Sequence, residues 1–328
     1  MAKGIGRLVQ VGFKPESSRG TAQSSASYYN PWSTVSFEDK VDKVMNEQSY
    51  GVVEDTQGSS NVKQFAEVEW SAPITDITFP YLLYAVLGTK SVATHSGESV
   101  VYDHTITKSQ SAQLPSYTLF LDDPVGGQDR KNALAVCSKL DINYELGGFA
   151  TFTAGWRAQV GANATLSPST VTQNRFLQKH LTFKLASSYS GLDAASAISL
   201  KNLSLSFNPN LEDDDVLGDD DPADFLSKQF SIEGQVELLW TATTYKDAYL
   251  ANTNYAMRID MVNTDVTIGS ASNPQVRIDL AKVTLTDVSR AIELDGLVRQ
   301  TLSFKAHYSA TDSLMVSCLC VNTVATLT

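Results

Sequence analysis

The stretch Leu140-Asp141-Ile142-Asn143-Tyr144-Glu145-Leu146-Gly147-Gly148-Phe149 puts an apolar side chain at every second position and then breaks at two glycines. A period of two is what a β-strand with one buried and one wet face requires, and the Gly-Gly pair lets the chain reverse into a partner strand. The signature recurs outward from there. Phe230, Ile232, Gly234, Val236, Leu238 and Trp240 interleave with Ser231, Glu233, Gln235, Glu237 and Leu239, and the same alternation carries Tyr255 to Met261, Val276 to Leu280 and Leu302 to Tyr308. Helical spacing is scarce. One helix is predicted over Asp76–Leu87, with Asp76 as N-cap and Gly88 as stop, and a short one over Tyr245–Ala251. The expected fold class is mainly β, a β+α chain.

The pattern also repeats in order. Lys63-Gln64-Phe65 opens a strand followed by a helix, and so does Lys228-Gln229-Phe230. Glu145-Leu146-Gly147-Gly148-Phe149 is matched by Glu293-Leu294-Asp295-Gly296-Leu297, and Trp156-Arg157-Ala158 by Phe304-Lys305-Ala306, both 148 positions on. Val35-Ser36-Phe37 stands before the first run as Leu205-Ser206-Phe207 stands before the second. Strand, long loop, strand, helix, strand, strand, Gly turn, strand is therefore read twice. The predicted division is an N-terminal arm over 1–27, a first unit over 28–165, a connecting segment over 166–198 and a second unit over 199–328. Two long loops, Glu38 to Asn61 and the aspartate-rich Asn208 to Asp224, take equivalent places in the two units.

Composition narrows the function classes. The chain has 328 residues, 42% hydrophobic and 19% charged, which is enough for a packed core, and no apolar run reaches bilayer length. The start at Met1-Ala2-Lys3 lacks a signal-peptide core, so synthesis in a cytoplasm is expected. A net charge of -11 argues against capture of nucleic acid through phosphates. Cys137, Cys318 and Cys320 are expected as free thiols. The four histidines, His95, His104, His180 and His307, stand without ligand-spaced partners, and no nucleophile elbow, P-loop or zinc helix is present. Asp213-x-Asp215-x-Leu217-Gly218 with Asp224 is like a calcium loop broken at Leu217, so a solvated acidic loop is the stronger reading. No catalytic residue, metal or cofactor is assigned.

With the repeat laid out, the chain resembles the major tail tube proteins of bacteriophages with long, non-contractile tails. The carrying features are Gly4-Ile5-Gly6-Arg7 leading to Gly12-Phe13-Lys14-Pro15-Glu16 and Arg19-Gly20-Thr21-Ala22, the strand-then-helix segment Lys63 to Gly88, and the closing runs Val276 to Val283 and Gln300 to Ala306. The resemblance implies two tandem tube domains of β-sandwich, barrel-forming type, each with a flanking helix on the outside. It implies a virion structural protein of the tail, not an enzyme, whose copies close into rings. Three duplicated subunits would make a pseudo-sixfold ring, and the rings would stack into a tube that conducts DNA. Tape measure, tail terminator and tail tip proteins are the implied partners, with DNA passing unbound by sequence and no membrane span.

Candidate lumen-facing residues are Asp141, Asn143 and Glu145 in the first unit and Glu233, Gln235 and Glu237 in the second, because an acidic lining repels phosphates. Candidate ring-stacking residues are Glu38, Asp39, Asp42, Glu47 and Asp55 in the first loop, and Asp213, Asp214, Asp215, Asp219, Asp220 and Asp221 in the second, together with the arm through Ser27. Two other readings stay open at this point. One is a β-sandwich receptor-binding or fibre module, with Tyr28, Tyr29 and Trp32 as a recognition surface; the other is a hydrolase using two carboxylates.

Overall fold

A computed structural model describes residues 3–292 and 294–328. Met1 and Ala2 of the N-terminal reading, and Glu293 of the second turn, lie outside the described residues. In chain order the strands are β1 (Gln10–Pro15), β2 (Tyr28–Asn30), β3 (Thr34–Met45), β4 (Ser59–Pro73), β5 (Gly88–Thr94), β6 (Tyr102–Lys108), β7 (Tyr117–Asp122), β8 (Arg130–Glu145), β9 (Thr151–Ala158), β10 (Ala162–Asn163), β11 (Leu181–Ala186), β12 (Asn202–Asn208), β13 (Leu211–Asp214), β14 (Asp224–Ser227), β15 (Ser231–Leu239), β16 (Asn254–Val262), β17 (Gln275–Ala291), β18 (Arg299–His307) and β19 (Val316–Asn322). Helix α1 (Phe79–Leu87) follows β4, and α2 (Thr244–Leu250) follows β15. The chain is mainly β, as the alternation predicts.

Pairing is antiparallel, and it lays eight strands side by side as β3–β4–β9–β8–β12–β15–β18–β17. The first four and the last four have the same internal order. Each ends on a long strand that carries a bulge, between Cys137 and Lys139 in β8 and between Leu285 and Asp287 in β17, again 148 positions apart. A bulge bends its strand and sharpens the twist, so the same strand can serve two layers. Before its bulge β8 pairs with β7, which pairs with β1; β17 pairs with β16, which pairs with β11.

These registers refine the sequence alignment. Since Trp156 stands opposite Val68 and Phe304 opposite Gly234, Ala66 answers to Ile232, and Lys63 to Gln229 rather than Lys228. Phe37 lies opposite Val68 and Leu205 opposite Gly234, so Val35-Ser36-Phe37 answers to Leu203-Ser204-Leu205, two residues before the match read from sequence. Single-residue offsets exchange the faces of a strand, and the consequence shows at Phe65 and Phe230. Phe65 packs with Leu114, Leu134, Val136 and Phe225 in a satellite cluster, whereas Phe230 leans on the main core.

That main core lies on one face of the eight strands. Trp70 stacks on Trp156 at 5.4 Å, Tyr117 meets Trp156 edge-on at 5.3 Å, and Phe13 closes on Trp70. Burying each such aromatic contributes roughly 1.5–3 kcal/mol. Gly234 is required by packing, because a Cβ there would sit 2.5 Å from Phe304 and from the Ser204 carbonyl oxygen. Helix α1 is buried on nearly every side, and it stops at Gly88, whose φ of 91° an L side chain resists. Asp76 is not its cap. The N-cap is Thr78, and the buried Asp76 carboxylate accepts from the backbone N–H and side-chain amide of Asn174. Burial pushes that carboxyl above its usual range, against the pull of those donors.

Candidate assembly surfaces

Side chains on the face opposite the core form lateral rows. Thr34, Ser71, Thr153, Asp141, Ser206, Glu233 and Lys305 stand in cross-strand register, and the neighbouring row runs through Thr151, Asn143, Ser204, Gln235 and Ser303. Glu145, Asn202 and Glu237 make the next. The structure thus gathers Asp141, Asn143, Glu145, Glu233, Gln235 and Glu237, predicted separately, on one continuous polar face. Sequence reasoning missed the cations among them. Lys139 reaches Glu69 at 2.7 Å, Arg157 reaches Glu67 at 3.2 Å, Lys305 reaches Glu233 at 2.7 Å and Arg299 reaches Glu237 at 3.0 Å. Lys40 is held by Glu38, and the hydrogen bond from Lys139 to Glu69 raises the Lys139 ammonium above its ordinary pKa. Pairs this exposed add little stability, but they occupy the cations.

The two ends of the eight strands differ from the middle. β8 and β12 join the halves through the pairs Leu140–Phe207, Ile142–Leu205 and Tyr144–Leu203. At the outer ends, β3 is paired along one side only, with β4, and the last third of β17 is paired only with β18 among the described residues. β3 is twelve residues long and carries half-buried Val35 and Phe37 along its open edge. Long unpaired edges with apolar side chains recruit further strands.

The predicted loops are more ordered than sequence suggests. Glu38, Asp39 and Asp42 lie within β3, where Glu38 faces Glu67 and Asp39 accepts from the Gly161 N–H; Glu47 and Asp55 fall in the exposed connection 46–58. In the second half, β13 and β14 form a separate hairpin that folds back on the first. Lys63 donates to Asp213 and Asp215, each at 2.8 Å, and the Gln64 N–H donates to the Asp220 carbonyl oxygen. Burial alone would depress the Lys63 ammonium, yet the two carboxylates outweigh it and raise the pKa. Asp214 pairs with Asp224, Asp219 accepts from the Asp221 N–H, and Asp221 is pushed upward by burial and by Asp219 and Asp220. Asp224, the last position of the broken calcium pattern, is clasped by Arg19 and Gln113.

The other candidate features have structural partners. Tyr28 packs on Tyr81, Tyr29 is buried, and the Trp32 indole donates to the Val9 carbonyl oxygen, which makes this trio an anchor for strand entry. His95 meets Asp103, His180 meets Asp265, and the three cysteines are free and buried, with burial pushing each thiol up. No helix among the described residues is long and apolar enough to cross a membrane. A family model described as phage tail tube protein matches residues 6–306. No curated protein matches the chain. The chain belongs to the phage tail tube protein family, and so to the structural components of the virion tail.

Proposed function

We propose that three copies of this chain close edge to edge into a ring and that stacked rings form the channel through which phage DNA leaves. The observation that carries this is the junction between β8 and β12. It joins two four-stranded runs of like order, and the strands equivalent to its two sides, β17 and β3, are the ones that end the eight-strand sheet with open edges among the described residues. Transferring the internal register places Val288 beside Asp39 of a neighbour, Arg290 beside Phe37 and Ile292 beside Val35. In this reading each half is a tube domain that starts at β1 or at β11, strands inside the segments first read as arm and connector.

Size favours three copies. Strands spaced about 4.8 Å and tilted about 40° give backbone diameters of about 32 Å for two copies and about 48 Å for three. After side chains, only the larger ring clears a DNA duplex comfortably. The polar face turns inward, because α1 and the core cover the other. Acidic side chains outnumber basic ones there, and the cations named above are already paired, so phosphates find no anchor and slide. The first-half connection 46–58 and the second-half hairpin leave the same end of the sheet and are placed to meet the next ring, toward tape measure, terminator and tip proteins at the tube's limits. Synthesis in the host cytoplasm precedes assembly.

Electron microscopy of the purified protein with native mass measurement of one ring tests this. Hollow stacked rings of three chains are expected; discrete monomers, or rings of six chains, would contradict it. Glu233→Lys with Glu237→Lys should leave tubes intact yet make them retain DNA at low salt.

A further inference from the structure

The two halves also repeat a smaller contact, and one side of its second copy is empty. In the first half, the turn between β8 and β9 is capped by the segment leading into β11. Phe149 bridges Leu177, the Ala150 N–H donates to the Phe176 carbonyl oxygen at 3.0 Å, and the Gly147 N–H donates to the Gln178 side chain at 2.6 Å. The Tyr144 hydroxyl donates to the Leu177 carbonyl oxygen, and the Arg175 guanidinium lies over the Phe149 ring. In the second half, Phe149 answers to Leu297 and Ala150 to Val298. The bond from the Ile74 N–H to Ala150 reappears as the one from Trp240 to Val298. The cap does not reappear among the described residues: Ile292, Leu294 and Leu297 are 66%, 100% and 74% exposed.

The missing cap has an equivalent in sequence. Through β7 and β16, Val11 of β1 answers to Phe183 of β11, 172 positions on. The same offset relates two 3-10 turns, Gly6–Leu8 and Gln178–His180, and their closing bonds, from the Leu8 N–H to Ile5 and from the His180 N–H to Leu177. Ile5 therefore stands where Leu177 does, Gly4 where Phe176 does, and Lys3 where Arg175 does. In its own subunit Ile5 is 64% exposed.

We infer that residues 3–8 of each subunit cap the β17–β18 turn of the neighbouring subunit within the same ring, with Ile5 bridging Leu297 and the Gly4 carbonyl oxygen accepting from the Val298 N–H. Two exposed apolar surfaces are thereby removed from water, and Lys3 and Arg7 come to the acidic side of the turn at Asp295. The arm thus acts inside a ring, not between rings. This rests on the ring closure proposed above, which could hold without it.

Paired cysteines separate the two. Antiparallel bridge partners have Cα atoms about 4.5–5.5 Å apart, within disulfide reach, and the native thiols are buried. In oxidised tubes, Ile5→Cys with Leu297→Cys should give covalent dimers and trimers at least tenfold above either single variant, with nothing larger. A reference pair, Asp39→Cys with Val288→Cys, reports ring closure. Cross-linking of the reference pair alone, or arm cross-links that run as ladders beyond three chains, would overturn the arm contact and leave the ring standing; failure of both would overturn both. Independently, Ile5→Asp and Leu297→Asp should each raise the concentration needed for assembly more than tenfold, and combining them should add little; unchanged assembly would count against the contact.

Discussion

Two junctions can be compared: the one between β8 and β12, made within the polypeptide, and the one proposed between β17 of one copy and β3 of the next. Across the first, Leu140, Ile142 and Tyr144 meet Phe207, Leu205 and Leu203, and all six are buried. Across the proposed second, the equivalent positions are Val288, Arg290 and Ile292 against Asp39, Phe37 and Val35, so charge enters at two of the six. The closed junction is permanent and can be wholly apolar. In the proposed ring, an edge that must stay soluble until a neighbour arrives would be guarded by this charge, as exposed edges commonly are. Arg290 meanwhile rests over the Trp240 ring at 4.6 Å.

The largest expected difference between the halves concerns their long excursions. Replacing Val44–Ser59 by a two-residue Asn-Gly turn should leave a folded subunit that no longer polymerises, because the segment touches little of its own chain. Normal tubes from this variant, seen by microscopy, would remove the connection from the stacking interface.

Next come the equivalent aromatics. Phe304→Ala should cost about 3–4 kcal/mol, and Trp156→Ala, which also loses its stacking on Trp70, about 4–5 kcal/mol, both read by chemical denaturation. Equal costs would mean that the two cores are packed more alike than the aromatic cluster implies.

Lys63→Ala should cost about 1–2 kcal/mol and expose residues 215–223 to proteolysis, since Asp215 then loses its cation and Asp213 keeps only the Arg157 guanidinium at 3.9 Å. Unchanged protease resistance would show that the hairpin docks without that ion pair.

The smallest effect is a pH dependence. Glu98 accepts from the Ser270 and Ala271 N–H groups and the Ser272 hydroxyl, and the two backbone donors foremost lower its pKa to about 2 from an ordinary 4.5. A folded pKa below the unfolded one means that the contribution is complete above about pH 5 and is lost as pH falls through 4.5 toward 2. The stability gap between the protein and its Glu98→Gln variant should narrow across that window and stay flat above it. A gap independent of pH would assign the effect to shape rather than charge.

Much of this was legible in the sequence. Alternation around Leu140 and Phe230 gave the strands, and the shared offset of 148 at Gly147 and Trp156 survives in the bulges and the registers. The polar face was legible too, because outward positions of adjacent strands fall on one side once pairing is known. What could not be read were features that depend on register. From sequence alone Val35 matches Leu205, two residues past its structural counterpart Leu203, because alternating strands look alike when slid by two. Asp76 reads as a helix cap in sequence, since nothing local announces that Asn174, nearly a hundred residues away, claims it. The aspartate-rich segment looks like a free loop in sequence because its partners, Lys63 and Arg19, are distant along the chain.

A cryo-electron reconstruction of the assembled tube tests the central claim most directly, by reading the strand that lies beside β17. β3 of the next subunit is expected there, with Val288 opposite Asp39 and three chains closing the ring. A β17 edge facing solvent, or paired with any other strand, would contradict it.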